Sequence, residues 1–330
     1  MRTLKINLLY QCTAQCPHCR FFCTNDSVAR QPDSDTPLAV AARLKQSCGL
    51  DMAVVLGGEP TLFPRQTTRL LRDLRALGLA TRLETNAWWA KTYASAIELL
   101  SPLRDIGTQV MLSLDAFHLP FVSVEAVANA VRACVDLGID YNLECPYLDS
   151  EHKDNAYDRQ TLELLRQLRD TYQIQAPAYE GGIVFVGRAA ETFGAAFARG
   201  RGVPTEACTA VPWWSDSDIA STELLIYEPG GYITKGCGIA IGNVFEQDVA
   251  DLVRNYRAET HPIFSVLLRE GPLGLARMAQ QYGYALKTQY ADKCHLCQEA
   301  RQALRPFYPQ ALQPRQHYGG SFDCADTATA

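Results

Sequence analysis

The chain has 330 residues, 47% of them hydrophobic, and a formal net charge of −5. That is enough apolar material for one large core with a smaller appended unit, which excludes a disordered chain. Basic and acidic residues are mixed throughout, so no basic run marks a nucleic-acid or membrane-surface binder.

From Lys5 to about Gly187 short apolar strands alternate with longer amphipathic helices. Strands are expected at 5–10, 52–56, 80–85, 109–115, 140–145 and 182–186, and helices at segments such as 67–77, 124–137 and 159–172. A repeated βα unit with right-handed crossovers predicts an α/β fold with a parallel sheet, either open and doubly wound or a curved partial barrel. Both put function at the carboxyl ends of the strands. After about Ala189 glycine, proline and aromatic residues become dense. A hairpin signal runs from Leu224 through Pro229-Gly230-Gly231 to Ile233, and a second unit is expected there. The Gln-, Pro- and Gly-rich stretch from Tyr308 reads as a loosely ordered tail. The expected division is therefore 1–195, 196–307 and 308–330. Apolar stretches are short, and no signal-peptide pattern precedes the first strand. A soluble, cytoplasmic protein without nucleic-acid or membrane partners is expected.

Twelve cysteines in a large chain without an export signal point to metal rather than disulfides. Cys48, Cys134 and Cys145 stand alone in apolar surroundings and read as small buried hydrophobes. Four others fall at Cys12, Cys16, Cys19 and Cys23, directly after the first strand. Three thiolates at the Cys12–Cys16–Cys19 spacing can each reach one iron of a 4Fe-4S cubane and leave the fourth iron open, which catalysis requires. Cys23 as a fourth ligand, or zinc in place of iron, satisfies the same spacing.

The segment Cys12-Thr-Ala-Gln-Cys16-Pro-His-Cys19 resembles the motif of the radical S-adenosylmethionine superfamily. The resemblance implies a partial (β/α)6 TIM-like barrel. It also implies a 4Fe-4S cluster on Cys12, Cys16 and Cys19, and S-adenosylmethionine on the unique iron, cleaved to a 5'-deoxyadenosyl radical that abstracts hydrogen from substrate. A flavodoxin- or ferredoxin-type donor would supply the electron. His18 stands where members have an aromatic residue near adenine. Gly57-Gly58-Glu59-Pro60 resembles the loop that meets the methionyl amino group, with glycines permitting close approach. Thr85-Asn86, Ser113 with Asp115, and Arg188 resemble further cofactor-contacting segments; with the Gly57–Pro60 loop the first two follow successive strands, and Arg188 is expected to meet a carboxylate. Ser113 and Asp115 read equally well as helix caps.

Cys208, Cys237, Cys294 and Cys297 offer a second, closed ligand set. With Pro229 to Cys237, Ile241 to Val244 and Asp292 to Cys297, they resemble the SPASM/twitch extensions of the same superfamily, which implies an auxiliary 4Fe-4S cluster in a hairpin-plus-helix domain. No cysteine lies between Gln298 and Asp323, so one auxiliary cluster is expected, with Cys324 a free thiol or a substitute ligand. Zinc is the alternative occupant. The resemblance implies a peptide substrate in an oxidative or bond-forming reaction. The chain begins about eleven residues before Cys12, so the peptide is expected to be recognised by a separate leader-recognition protein or by the barrel itself. A small-molecule dehydrogenase acting on an amino sugar or amino-acid derivative is the second reading, and a non-catalytic iron-sulfur or zinc scaffold the third. Trp88-Trp89 and Trp213-Trp214 offer stacking surfaces or ordinary packing. Glu144, Tyr141, Tyr179 and Glu180 lie near strand ends with no role assigned.

Overall fold

The computed structural model describes residues 1–25, 31–211 and 217–319. Strands β1 (Thr3–Asn7), β2 (Met52–Leu56), β3 (Ala80–Thr85), β4 (Gln109–Ser113), β5 (Tyr141–Tyr147) and β6 (Ala178–Gly182) lie parallel, side by side in chain order. Between them run α1 (Asp35–Cys48), α2 (Pro64–Ala76), α3 (Tyr93–Leu100), α4 (Val124–Leu137) and α5 (Ala156–Asp170), and α6 (Arg188–Phe197) follows β6. This is the α/β fold with a parallel sheet that the alternation predicts.

Local chemistry sets the boundaries. Strands β1 and β2 are buried along their whole length because helices cover one face and the barrel interior the other. Helix α4 starts where the Ser123 hydroxyl accepts from the Ala126 N–H, and it stops at left-handed Gly138. On α2, Leu70, Leu71 and Leu74 form the stripe that seals the core.

Three expectations need correction. The sixth strand is Ala178–Gly182, not 182–186. It is the exposed edge of the sheet and carries no hydrophobic pattern to read, whereas Ile183, Val184, Phe185 and Val186 leave the sheet to pack against the cysteine loop and Cys294. The hairpin expected within a separate unit instead extends the barrel's own sheet. Strand β7 (Ala210–Val211) pairs only with β8 (Ser217–Asp218), but β9 (Leu224–Glu228) lies parallel to β1, followed by antiparallel β10 (Tyr232–Thr234) and β11 (Ala240–Asn243). The result is a nine-stranded open sheet, β11-β10-β9-β1-β2-β3-β4-β5-β6. Its backbone edge at β1 was a pairing site that composition does not reveal.

Helices α7 (Val249–Asn255), α8 (Phe264–Gln280) and α9 (Lys293–Leu304) complete the chain, with a second core around Phe264, Leu275, Leu296 and Leu304. Residues 308–319, expected to be loose, are packed: Ala311, Leu312 and Tyr318 join this core, and His317 Nε2 meets Glu228 Oε1 at 3.0 Å. The remainder of that tail, with Cys324, and the Trp213-Trp214 pair lie outside the described residues. Among the described residues no helix is long and apolar enough to cross a membrane.

Candidate active site

A cavity of about 250 Å³ lies at the carboxyl ends of the parallel strands, and Cys12, Cys16, Cys19 and Cys23 all line it. The loop that carries them is closed on itself: the Cys12 N–H donates to Thr24 O at 3.1 Å and the Cys19 N–H to Cys16 O at 3.1 Å. Cys12, Cys16 and Cys23 are buried and Cys19 is half-buried. The Ala14 N–H (3.4 Å) and the Asn86 amide (3.8 Å) both point at Cys12 Sγ. Burial pushes the Cys12 thiol far up, and a metal's charge is what would ionise it. A hydrogen bond shared by the Cys19 and Cys23 thiols moves Cys19 down and Cys23 up.

Of the residues expected to touch cofactor, several also build the loop. Gly57 and Gly58 line the cavity, but the close approach they permit is to backbone: a Cβ on Gly57 would lie 2.5 Å from Leu9 O, and one on Gly58 2.0 Å from Gln11 O. The Gly58 and Glu59 N–H groups donate to those same carbonyls. Glu59 is fully buried, and its carboxylate accepts from the Thr61 N–H, the Thr61 and Thr85 hydroxyls and the Asn86 N–H, tying the β2 loop to the end of β3. Pro60 starts the short helical turn that follows and does not line the cavity. Among the described residues Arg188 meets no carboxylate; its guanidinium donates to Cys16 O at 3.1 Å and Cys23 O at 2.6 Å, bracing the cysteine loop from α6. Trp88 and Trp89 pack in the main core, with their indole N–H groups on Thr61 and Thr85.

Ser113, Thr85, Asn86, Asp115 and His18 do line the cavity. Asp115 also holds the turn after β4, accepting from the Phe117 and His118 N–H groups and pairing with His118 Nδ1 at 2.7 Å. Burial opposes charge on both members of this pair, but each outweighs it for the other, so Asp115 moves down and His118 up. The His18 ring stacks on Phe117 at 4.5 Å, and its Nδ1 is buried without a hydrogen-bond partner among the described residues. Cys16 Sγ and a ring nitrogen each of His18 and His118 lie within 4.8 Å of one another. Sequence reading passed over His118, whose only signal was its place three residues after Asp115. It also passed over Lys5, Glu84 and Arg20, which line the cavity; a lysine inside a strand buried on both faces was the available cue.

The second cysteine set converges as well. Cys208, Cys237, Cys294 and Cys297, drawn from three distant parts of the chain, line one small apolar cavity. Helix α8 is broken at Gly271 (φ +64), where a Cβ would strike Glu206 O at 2.1 Å; this lets the Cys208 segment pass, and the Cys208 N–H bonds Leu267 O. Cys237 sits in a turn of three left-handed residues with Gly236 and Gly238. Cys294 lies in the first turn of α9, where the helix dipole favours a thiolate, and Cys297 follows about one turn later. Burial pushes Cys208 up to about 11 and raises Cys237 and Cys294 further. Arg301, fully buried, donates to Cys297 Sγ at 3.3 Å, to Gln298 and to the Tyr318 hydroxyl. Four thiols with a buried guanidinium fit an anionic, fully ligated cluster.

Residues 6–158 match the family described as the radical SAM superfamily. No curated protein matches the sequence. Among solved structures, polyhistidine-tagged anSMEcpe with bound AdoMet covers 93% of this chain and 93% of its own at 12% identity and a TM-score of 0.50. Streptococcus suis SuiB covers 80% of this chain and 67% of its own at 15% identity and a TM-score of 0.42. At 12% identity the likeness to anSMEcpe is one of fold. By the family match, residues 6–158 form a radical SAM superfamily domain.

Proposed function

We infer that Cys12, Cys16 and Cys19 hold a 4Fe-4S cluster, that Cys23 does not ligate it, and that the chain cleaves S-adenosylmethionine to start hydrogen abstraction from a peptide. The observation that carries the reading is the common cavity of the triad, with Gly57, Gly58, Asn86 and Ser113 around it. When bound, the cluster supplies one low-potential electron and an open iron for the cofactor's amino and carboxylate groups. The protein's own part is positional. Arg188 and the Gly58 contact fix the loop, Glu59 fixes Thr85 and Asn86, and the walls exclude water from a reactive carbon centre.

We read Cys208, Cys237, Cys294 and Cys297 as ligands of one auxiliary 4Fe-4S cluster that takes or relays an electron from the substrate. Their convergence supports this. An open groove of about 590 Å³ shares Gly182, Ile183 and Val184 with the first cavity and Lys293 and Cys294 with the second. Its lining, shared with both sites, favours an extended, peptide-like substrate over a compact one.

The test is iron and sulfide content together with paramagnetic resonance, with and without S-adenosylmethionine, and detection of 5'-deoxyadenosine. Two clusters are expected, one of them perturbed by the cofactor. Cys23→Ala should keep both, and Cys294→Ala with Cys297→Ala should lose one. Zinc in either site, or no 5'-deoxyadenosine from reduced protein, overturns the reading.

A further inference from the structure

Below the cysteine loop, three alternate strands each present an ionisable side chain to one cavity: Lys5 on β1, Glu84 on β3 and Glu144 on β5. Period-two alternation makes these inward positions, and layers drawn from alternate strands are how such barrels fill their interior. On β2 the neighbouring Met52, Val54 and Leu56 form an apolar cluster at no cost in desolvation. Charges in the same place require something in the cavity to meet them.

Lys5 and Glu84 meet each other, Nζ to Oε1 at 3.4 Å. Glu144 is different: among the described residues nothing donates a hydrogen bond to its carboxylate, and Lys5, Arg20 and His118 act on it through their charge. Burial, and then the like charge of Glu84, push it above the usual carboxylate range. Glu180, one strand over, is instead paired with Lys153 at 2.5 Å on the outside, and Tyr141 does not line the cavity. A carboxylate in this position is relieved by a positively charged donor and made worse by an anion.

We propose that Glu144 selects the substrate by receiving an N–H-bearing cation, a primary ammonium or a guanidinium, within this cavity. The proposal rests on the reading above for the cavity's identity as the substrate site. A lysyl side chain of a peptide and a free small amine carry the same chemistry, and the test separates them.

Equilibrium binding to the reconstituted full-length protein is measured for two matched pairs: n-butylammonium against n-butanol, and acetyl-Gly-Lys-Gly-amide against its norleucine analogue. A charge-assisted hydrogen bond in a partly dry site predicts a preference of about tenfold or more for the cation of at least one pair. Preference in the peptide pair alone assigns a peptide, in the butyl pair alone a small amine, and in both a seat indifferent to the carrier. Glu144→Gln, of the same shape, abolishes the preference, while Glu144→Asp retains part of it; iron content and circular dichroism report that each variant is folded. An unchanged preference in Glu144→Gln, or none in the wild type, overturns the proposal. Wild-type 5'-deoxyadenosine formation is followed in the same preparation. Its presence without cation preference sinks the seat alone, and its absence sinks the functional reading while the binding arms still judge the seat.

Discussion

At the scale of single residues, the site depends on polar groups placed where few alternatives fit. Glu59 accepts four hydrogen bonds in a fully buried position, so Glu59→Gln turns an amide N–H₂ toward donors. A loss of about 2–4 kcal/mol is expected from such unsatisfied contacts, read as a lower midpoint in chemical denaturation together with weaker S-adenosylmethionine binding. Arg301 is the only described cation that donates to a thiol of the second set. Arg301→Met should shift the auxiliary cluster proposed for that set to a more negative reduction potential in a redox titration, because a positive donor to a proposed ligand sulfur is lost; an unchanged potential would remove Arg301 from that role. Lys5 gives a pH dependence with a definite sign. Burial is the first cause of its fall from 10.5 to about 8, so between about pH 8 and 10.5 the unfolded chain binds more protons than the native one. Stability therefore rises with pH across that window, by on the order of 3 kcal/mol at most, and the cost is fully present below it. Lys5→Met with Glu84→Gln should flatten that part of the curve in denaturation followed from pH 7.5 to 10.5.

At the scale of elements, loops are held in place by contacts that only glycine allows. The β2 loop lies against the segment entering Cys12, and the turn into α6 lies against the loop leaving Cys19, where a Cβ on Gly187 would come 2.2 Å from Arg20 O. Gly58→Ala and Gly187→Ala should leave the helices intact by circular dichroism yet reconstitute with markedly less iron, because the backbone rather than a flexible side chain must give way. Full iron content in both would show that the loop tolerates displacement. The edge strand β6 and the run that follows it show the opposite case. Apolar residues 183–186 read as a strand by pattern but serve as the wall between the two cysteine cavities, while the true strand is too exposed to show a pattern.

At the scale of the whole molecule, β9 pairs with β1, and the Glu228 carboxylate gathers Asn7, Tyr10, Thr234 and His317, so the carboxyl-terminal part shares a sheet and a buried polar network with the barrel. The second core is small and lies against the four cysteines. Chelation of iron should lower the melting temperature by on the order of 10 °C, with amides of α8 and α9 exchanging first. Uniform loss of protection would count against a role for the second site in holding that region. The βα rhythm, the cysteine triad and the Cys294–Cys297 pair were readable along the chain because periodicity and ligand spacing are local properties, and a thiol at Cys12, Cys16 or Cys19 carries its chemistry wherever it sits. Local pattern does not specify what packs against what. That Glu59 and Arg188 brace loops, that a hairpin from residue 224 onward joins the barrel's sheet, and that Lys5, Glu84 and Glu144 meet in one cavity are contacts across 26 to 221 residues of chain. Such contacts are decided by burial and backbone pairing in three dimensions.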